Sequence, residues 1–231
     1  MPPPPVYSYD ATAIGEPGDS EACRTILVLG DSLMVETAPE LPNAYEELGY
    51  CATVINGGVN GASTMSTYLE GGREVATVDH LATLVDAHHP DAVVFSFVGN
   101  VSWAQMPAAA AAYLGLVDQA LASGLQVFAT TPPVSAFLCD PHAAWSLGHQ
   151  AFRDWVMSDL PSLRGGEYAT VRWSEVLSPG GSWPNYGGSL RFPDGSVHPV
   201  RFQDCVHLSG TRGIAIAAHE VVAATQVLWA G

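Results

Sequence analysis

The stretch EACRTILVLGDSLM, residues 21–34, decides how the rest of the chain is read. Within it, TILVLG (25–30) is continuously apolar and lacks the alternation of a strand with one wet face. Such a run fits a strand buried on both faces of a parallel sheet. Four more runs of this kind follow: CATVIN (51–56), AVVFSFV (92–98), LQVFATT (125–131) and YATVRW (168–173). Between them lie segments of helical periodicity at 33–48, 74–88, 106–123, 146–159 and 210–229, the first and third ending at Gly49 and Gly124. Strands alternating with helices predict βαβ crossovers and a three-layer α/β/α sandwich. No internal repeat and no second domain is visible, and 231 residues suit one α/β domain with an ample core.

Composition narrows the partners. Eight Lys+Arg, none of them lysine, face 23 Asp+Glu, giving a net charge of −15. That surface repels phosphate backbones and anionic lipid, which argues against nucleic-acid binding. No apolar run is long enough to span a bilayer. The start, MPPPPVYSYD, has neither the basic nor the apolar region of a signal peptide. A proline run reads as a semi-rigid extended segment. It fits either the sequel of an upstream signal or membrane tether, or a frayed N-terminus. The expected division is a Pro-rich N-terminal segment, 1–22, followed by one domain, 23–231.

In parallel α/β sheets, chemistry gathers at the carboxyl ends of the strands. The tripeptide Gly-Asp-Ser occurs twice, ending at Ser20 and at Ser32. Ser32 follows a strand directly and opens a helix, so it belongs on that rim. Ser20 has no strand before it and reads as a turn residue. Ser32 has a bland reading as a helix N-cap and a chemical one as a nucleophile favoured by a helix N-terminus. Neighbouring loops favour the second. INGGVNGAS follows the second run, and Gly61 there has a backbone N–H able to face a developing oxyanion, although the loop also fits a tight turn or a phosphate cradle. FVGNVSW ends the third run and puts Asn100 on the same rim, as an amide donor or as a cap. In FQDCVHLSGTRG, Asp204 and His207 are spaced so that the carboxylate can hold one ring nitrogen while the other faces a serine hydroxyl. Asp86 and His89 form a similar pair but precede the third strand, at the wrong end of the sheet.

LGDSLM, NGGVNG, VGN and DCVHLS, in this order, resemble the four blocks of the SGNH (GDSL) hydrolase family across roughly 25–215. The resemblance implies a flavodoxin-like five-stranded parallel sheet and a catalytic triad of Ser32, His207 and Asp204. It also implies an oxyanion hole built from the Ser32 N–H, Gly61 and Asn100. The Asn-x-Gly-x-x-Gly alignment favours Gly61 over Gly58. Two positions depart from the family pattern: Val101 stands where Asp is frequent, and Cys205 where Gly is frequent. PDAVVFSFVGNVSW, TTPP and DCVHLS are most similar to actinobacterial SGNH domains, including those fused to membrane O-acyltransferases.

The resemblance implies a serine esterase or deacylase for short acyl esters, on a carbohydrate or metabolite. An O-acyltransferase on the same triad and a catalytically idle binding module remain open, and a phosphate binder using NGGVNG is disfavoured because that loop has no basic residue. No metal or cofactor is expected: the histidines, among them His80, His88, His142 and His149, lack ligand spacing and read as surface residues. Long loops at 132–147 and 174–203 carry Phe137, Trp145, Trp183 and Tyr186. With Trp103, their tryptophans are the candidate substrate wall, or else loop-anchoring packing. In the strand order of this fold, Cys23 and Cys51 share the amino side of neighbouring strands, and Cys139 and Cys205 share the carboxyl side. The expected pairs are Cys23–Cys51 and Cys139–Cys205, the alternative being buried thiols. Bridges imply an extracellular or cell-envelope location, and thiols a cytoplasmic one. Oligomeric state is not legible.

Overall fold

The computed structural model describes residues 6–16, 22–136, 139–178, 189–200, 204–208 and 210–230. After a short N-terminal strand, β1 (Val6–Ser8), the first apolar run forms β2 (Arg24–Gly30) and the second β3 (Ala52–Asn56). A hairpin, β4 (Thr67–Glu70) and β5 (Arg73–Ala76), intervenes before β6 (Ala92–Ser96), β7 (Gln126–Thr130) and β8 (Ala169–Val171). The central sheet is β3-β2-β6-β7-β8, parallel throughout, the order expected of a flavodoxin-like fold.

Alternate residues of the inner strands β2, β6 and β7 feed two cores, which is why those runs are continuously apolar. The edge strands β3 and β8, expected to be buried on both faces, are partly exposed. Ile26, Val28, Val94 and Phe128 pack on one face, under α1 (Ser32–Thr37), α2 (Leu41–Glu47) and α7 (Gly210–Thr225). Leu27, Leu29, Val93, Phe95 and Val127 pack on the other, under α3 (Thr77–His88), α4 (Met106–Ala122) and α5 (Ala144–Arg164). A short helix, α6 (Trp173–Leu177), follows β8.

The helix expected over 33–48 is interrupted by a 3₁₀ turn at Ala38–Glu40. Pro39 and Pro42 lack the N–H groups that a continuous helix needs there. The segment expected to be helical from 74 begins as β5, and α3 starts only at Thr77. Gly71 and Gly72, at φ 55° and 83°, supply the paired positive φ of a two-residue hairpin turn. A small sheet, β1-β9-β10, adds β9 (Ser189–Arg191) and β10 (Val197–Pro199). Residues 6–16 lie against the domain: Thr12 donates from N and Oγ1 to the buried Glu220 carboxylate at 3.3 and 2.8 Å, and Gly15 N donates to Gln226 Oε1 at 2.6 Å.

Both cysteine pairs form, with Cα–Cα distances of 4.5 Å for Cys23–Cys51 and 5.2 Å for Cys139–Cys205. The first fastens the amino ends of β2 and β3, where Arg24 and Ala52 are in register. The second joins the loop after β7 to the segment before α7.

Candidate active site

Four loops meet at the carboxyl edge of the central sheet. The turn from β2 into α1 is made by Asp31, not Ser32: Asp31 is the N-cap, and its carboxylate accepts the Leu33 N–H at 3.1 Å. Capping is thereby done by the neighbour, and Ser32, the first helical residue, has its hydroxyl free for other bonds. A second N–H, from Val98, reaches Asp31 Oδ2 at 2.6 Å and ties this elbow to the end of β6.

Ser32 Oγ lies 3.0 Å from His207 Nε2, and His207 Nδ1 lies 2.6 Å from Asp204 Oδ2. Asp204 being an acceptor, the ring carries its proton on Nδ1 and turns the Nε2 lone pair to the serine O–H. Burial works against the Asp204 carboxylate, but the His207 side chain and the N–H groups of Val206 and His207 outweigh it, and its carboxyl sits below the usual range. Both N–H groups donate to Oδ1 at 3.0 Å, so the three-residue spacing is a tight turn wound around its own carboxylate. Glu36 Oε2 accepts the Leu208 N–H at 3.2 Å, linking α1 to the same segment.

Cys205 has φ 62°, a left-handed conformation in which glycine is at ease and a side chain is strained. Glycine is the residue the family pattern often has there. In this chain the bridge to Cys139, itself at φ 60°, holds the turn, and the Ala136 N–H adds a hydrogen bond to Cys205 O at 3.2 Å.

A cavity of about 750 Å³ opens over these groups and is lined by Ser32, Gly61, Asn100, Trp145, Asp204 and His207, together with Glu36 and His149. Gly61 has φ 73° with open space where a side chain would stand, so its backbone can face the cavity unscreened. The Asn100 amide is pinned at both ends. Its Nδ2 donates to Ala62 O at 2.9 Å, and its Oδ1 lies 3.2 Å from His149 Nε2. One Nδ2 proton is left over after the bond to Ala62.

His149 is the residue that sequence reasoning missed. Read as a surface histidine, it is only 4% exposed, because it sits on the inward side of α5. The available signal was its spacing from Trp145, one helical turn away on the same cavity wall. Trp103, also expected in the substrate wall, does not line this cavity but a separate groove. Phe137, Trp183, Tyr186 and Ser20 fall outside the described residues. Asp86 and His89 are exposed at the end of α3, on the opposite side of the sheet. Among the described residues no group of His, Cys, Asp and Glu is arranged to hold a metal ion.

No family model and no curated protein matches the chain by sequence. Solved structures do match in fold. The lipase/acylhydrolase from Enterococcus faecalis aligns over 89% of this chain and 96% of its own, at 18% identity and a TM-score of 0.58. The psychrotrophic esterase EstA from Pseudoalteromonas sp., in a structure inhibited by monoethylphosphonate, aligns over 90% and 100%, at 13% identity and 0.57. Est24, a carbohydrate acetylesterase from Sinorhizobium meliloti, aligns over 87% and 96%, at 16% identity and 0.56. The central sheet and its helices are therefore those of the SGNH hydrolase fold.

Proposed function

We propose that this protein is an SGNH-type serine ester hydrolase that removes short acyl groups from a carbohydrate or small metabolite. The observation that carries the reading is the chain of bonds from Asp204 through His207 to Ser32, at 2.6 and 3.0 Å, at the floor of one open cavity. His207 Nε2 takes the Ser32 proton as Oγ attacks the ester carbonyl. Asp204 holds the ring in the right tautomer and stabilises the imidazolium. The tetrahedral oxyanion is met by the Ser32 and Gly61 N–H groups and by the free Nδ2 proton of Asn100. Collapse expels the alcohol, which takes the proton from His207, and leaves an acyl-Ser32 ester. Water, deprotonated by the same histidine, then releases the acid. The route needs no metal.

Two bridges support an oxidising, extracytoplasmic compartment. No helix among the described residues is long and apolar enough to cross a membrane.

The test is labelling with a fluorophosphonate, followed by p-nitrophenyl esters of increasing chain length. Wild type and Ser20→Ala should label and hydrolyse alike, while Ser32→Ala should do neither. kcat/KM should be highest from acetyl to butyryl and fall by octanoyl. Each methylene gains at most about 0.8 kcal/mol, and only where a wall receives it. Equal losses in both serine variants would refute the assignment of Ser32. A steady rise through decanoyl would replace the short-acyl reading with a lipase-like one. An unlabelled Ser32 in folded protein would leave an idle binding module.

A further inference from the structure

The loop that carries Asn100 into the Ser32 cavity carries Trp103 into a second one of about 650 Å³, and among the described residues the two share no lining residue. Trp103 and the apolar first turns of α4 line one part of this groove, and the side of α5 that carries Asp154, Trp155, Ser158 and Asp159 lines another. Trp103 is 66% exposed, an unusual state for the largest apolar side chain.

The exposed indole stands on a rigid base. Ser102 N and Oγ both donate to Gln105 Oε1, at 3.0 and 2.8 Å, and Gln105 N donates to Ser102 O at 3.0 Å. The loop beneath is pressed onto α5 with no spare room. A methyl group on Gly148 would lie 1.7 Å from Val101 O, and one on Gly99 would lie 2.4 Å from Phe152 Cβ. Trp103 is thus held at the groove by the packing of its loop, and Trp155 by its ring contacts with Tyr113 and Phe152, as pre-organised binding surfaces are.

The chemistry on these walls selects a ligand class. Indole faces receive the C–H faces of a pyranose ring, and carboxylate and hydroxyl oxygens accept from its hydroxyl groups. Among the described residues no arginine or histidine lines the groove; Arg153 Nη1, 3.5 Å from Asp154 Oδ1, offsets one of its two carboxylates, and Asp159 still disfavours an anionic ligand. The groove also lies close to the chemistry. Trp103 is three residues from Asn100, so their Cα atoms are within about 11 Å of each other. A short chain of sugar rings covers that distance.

We propose that this groove is a distal subsite for a neutral oligosaccharide whose acyl ester is presented to Ser32. The proposal deepens the esterase reading and rests on it. Two measurements separate them. Unacylated neutral oligosaccharides (xylose-, glucose- and N-acetylglucosamine-based, of increasing length) should change the tryptophan fluorescence of wild type and not that of Trp103→Ala, in 0.5 M NaCl as in low salt. On acetylated members of the same series, Trp103→Ala should lose about tenfold in kcat/KM through KM, with p-nitrophenyl acetate unaffected and Trp103→Phe retaining part of the effect. No fluorescence response across the series, or equal losses on p-nitrophenyl acetate and the oligosaccharides, would overturn the proposal. So would a response to tetramethylammonium that salt abolishes, which would mark a cation site, or a Trp103-dependent change in sedimentation, which would mark a self-association face. Saccharide binding without p-nitrophenyl acetate hydrolysis would leave the groove standing and remove the esterase.

Discussion

Replacing Asp31 by Asn tests the elbow that presents Ser32, and its effect should depend on pH in an unusual direction. The carboxyl is fully buried and accepts two N–H groups, from Leu33 and Val98. Burial pushes it up from 3.8 to about 7, against the opposing pull of those two N–H groups and of His207. A carboxyl whose folded value is raised binds its proton more tightly in the folded state. Its contribution to stability is therefore fully present below about pH 3.8 and is lost as pH rises through 7. Between pH 5 and pH 8 the linkage relation gives a loss of about 2–3 kcal/mol in wild type. Asparagine does not titrate, and its NH₂ must face one of the two backbone donors. One buried N–H then goes unpaired, at about 1–3 kcal/mol.

Asp31→Asn should therefore be less stable than wild type at pH 5, and the gap should narrow by about 2–3 kcal/mol by pH 8. Denaturant unfolding of both proteins at the two pH values measures this directly, since other titrating groups largely cancel in the difference. In thermal unfolding each kcal/mol corresponds to about 2–4 °C for a chain of this size. A variant as stable as wild type at pH 5, or a gap that stays constant or widens toward pH 8, would refute the reasoning.

Asn100→Ala should cost about 10²–10³ in kcat with KM little changed, the usual loss for one oxyanion donor; a rise in KM at constant kcat would make Asn100 a binding residue instead. His149→Phe should lower kcat in the wild-type background and much less in the Asn100→Ala background, because its hydrogen bond to Asn100 Oδ1 acts through that amide; fully additive losses would show an independent role. Replacing both Cys139 and Cys205 by Ser opens a bridge between residues 66 apart, with an expected stability loss of about 4 kcal/mol and a fall in ester hydrolysis from the loosened Asp204–His207 turn. Unchanged kcat/KM in the doubly substituted protein would show that the turn holds itself.

The central sheet was legible because burial on both faces leaves a mark in every residue of a strand, so runs such as TILVLG and AVVFSFV stand out without an alignment. The β1-β9-β10 sheet left no such mark. Its strands are three residues each, too short for a period, and β1 pairs with a strand more than 180 positions away. Pro39, Pro42 and the Gly71-Gly72 turn were visible signals whose weight the helical periodicity around them concealed. Periodicity is a sum over a window, whereas a missing N–H or a positive φ acts at one position.

The candidate site divides along the same line. Ser32 was placed on the rim by where its loop leaves the sheet and the Asp204–His207 pair by its spacing, while Gly61 and Asn100, whose loops also fit turns and caps, were chosen from the family resemblance. His149 and Asp31 act through neighbours, and neither follows from topology. His149 matters because Gly148, beside it, lets α5 press onto the Asn100 loop, so that a histidine of ordinary helical spacing ends up against an amide. Asp31 matters because β2 and β6 are adjacent, which brings Val98 N–H to a carboxylate already occupied in capping α1. Cys205 joins both kinds of reading. The sequence shows a cysteine where glycine is frequent, and only its φ of 62° shows why glycine suits that position and why a side chain there needs Cys139 to hold it. The groups that perform the proposed chemistry are thus set by topology, while the groups that hold them still are set by packing, which no single stretch of sequence records.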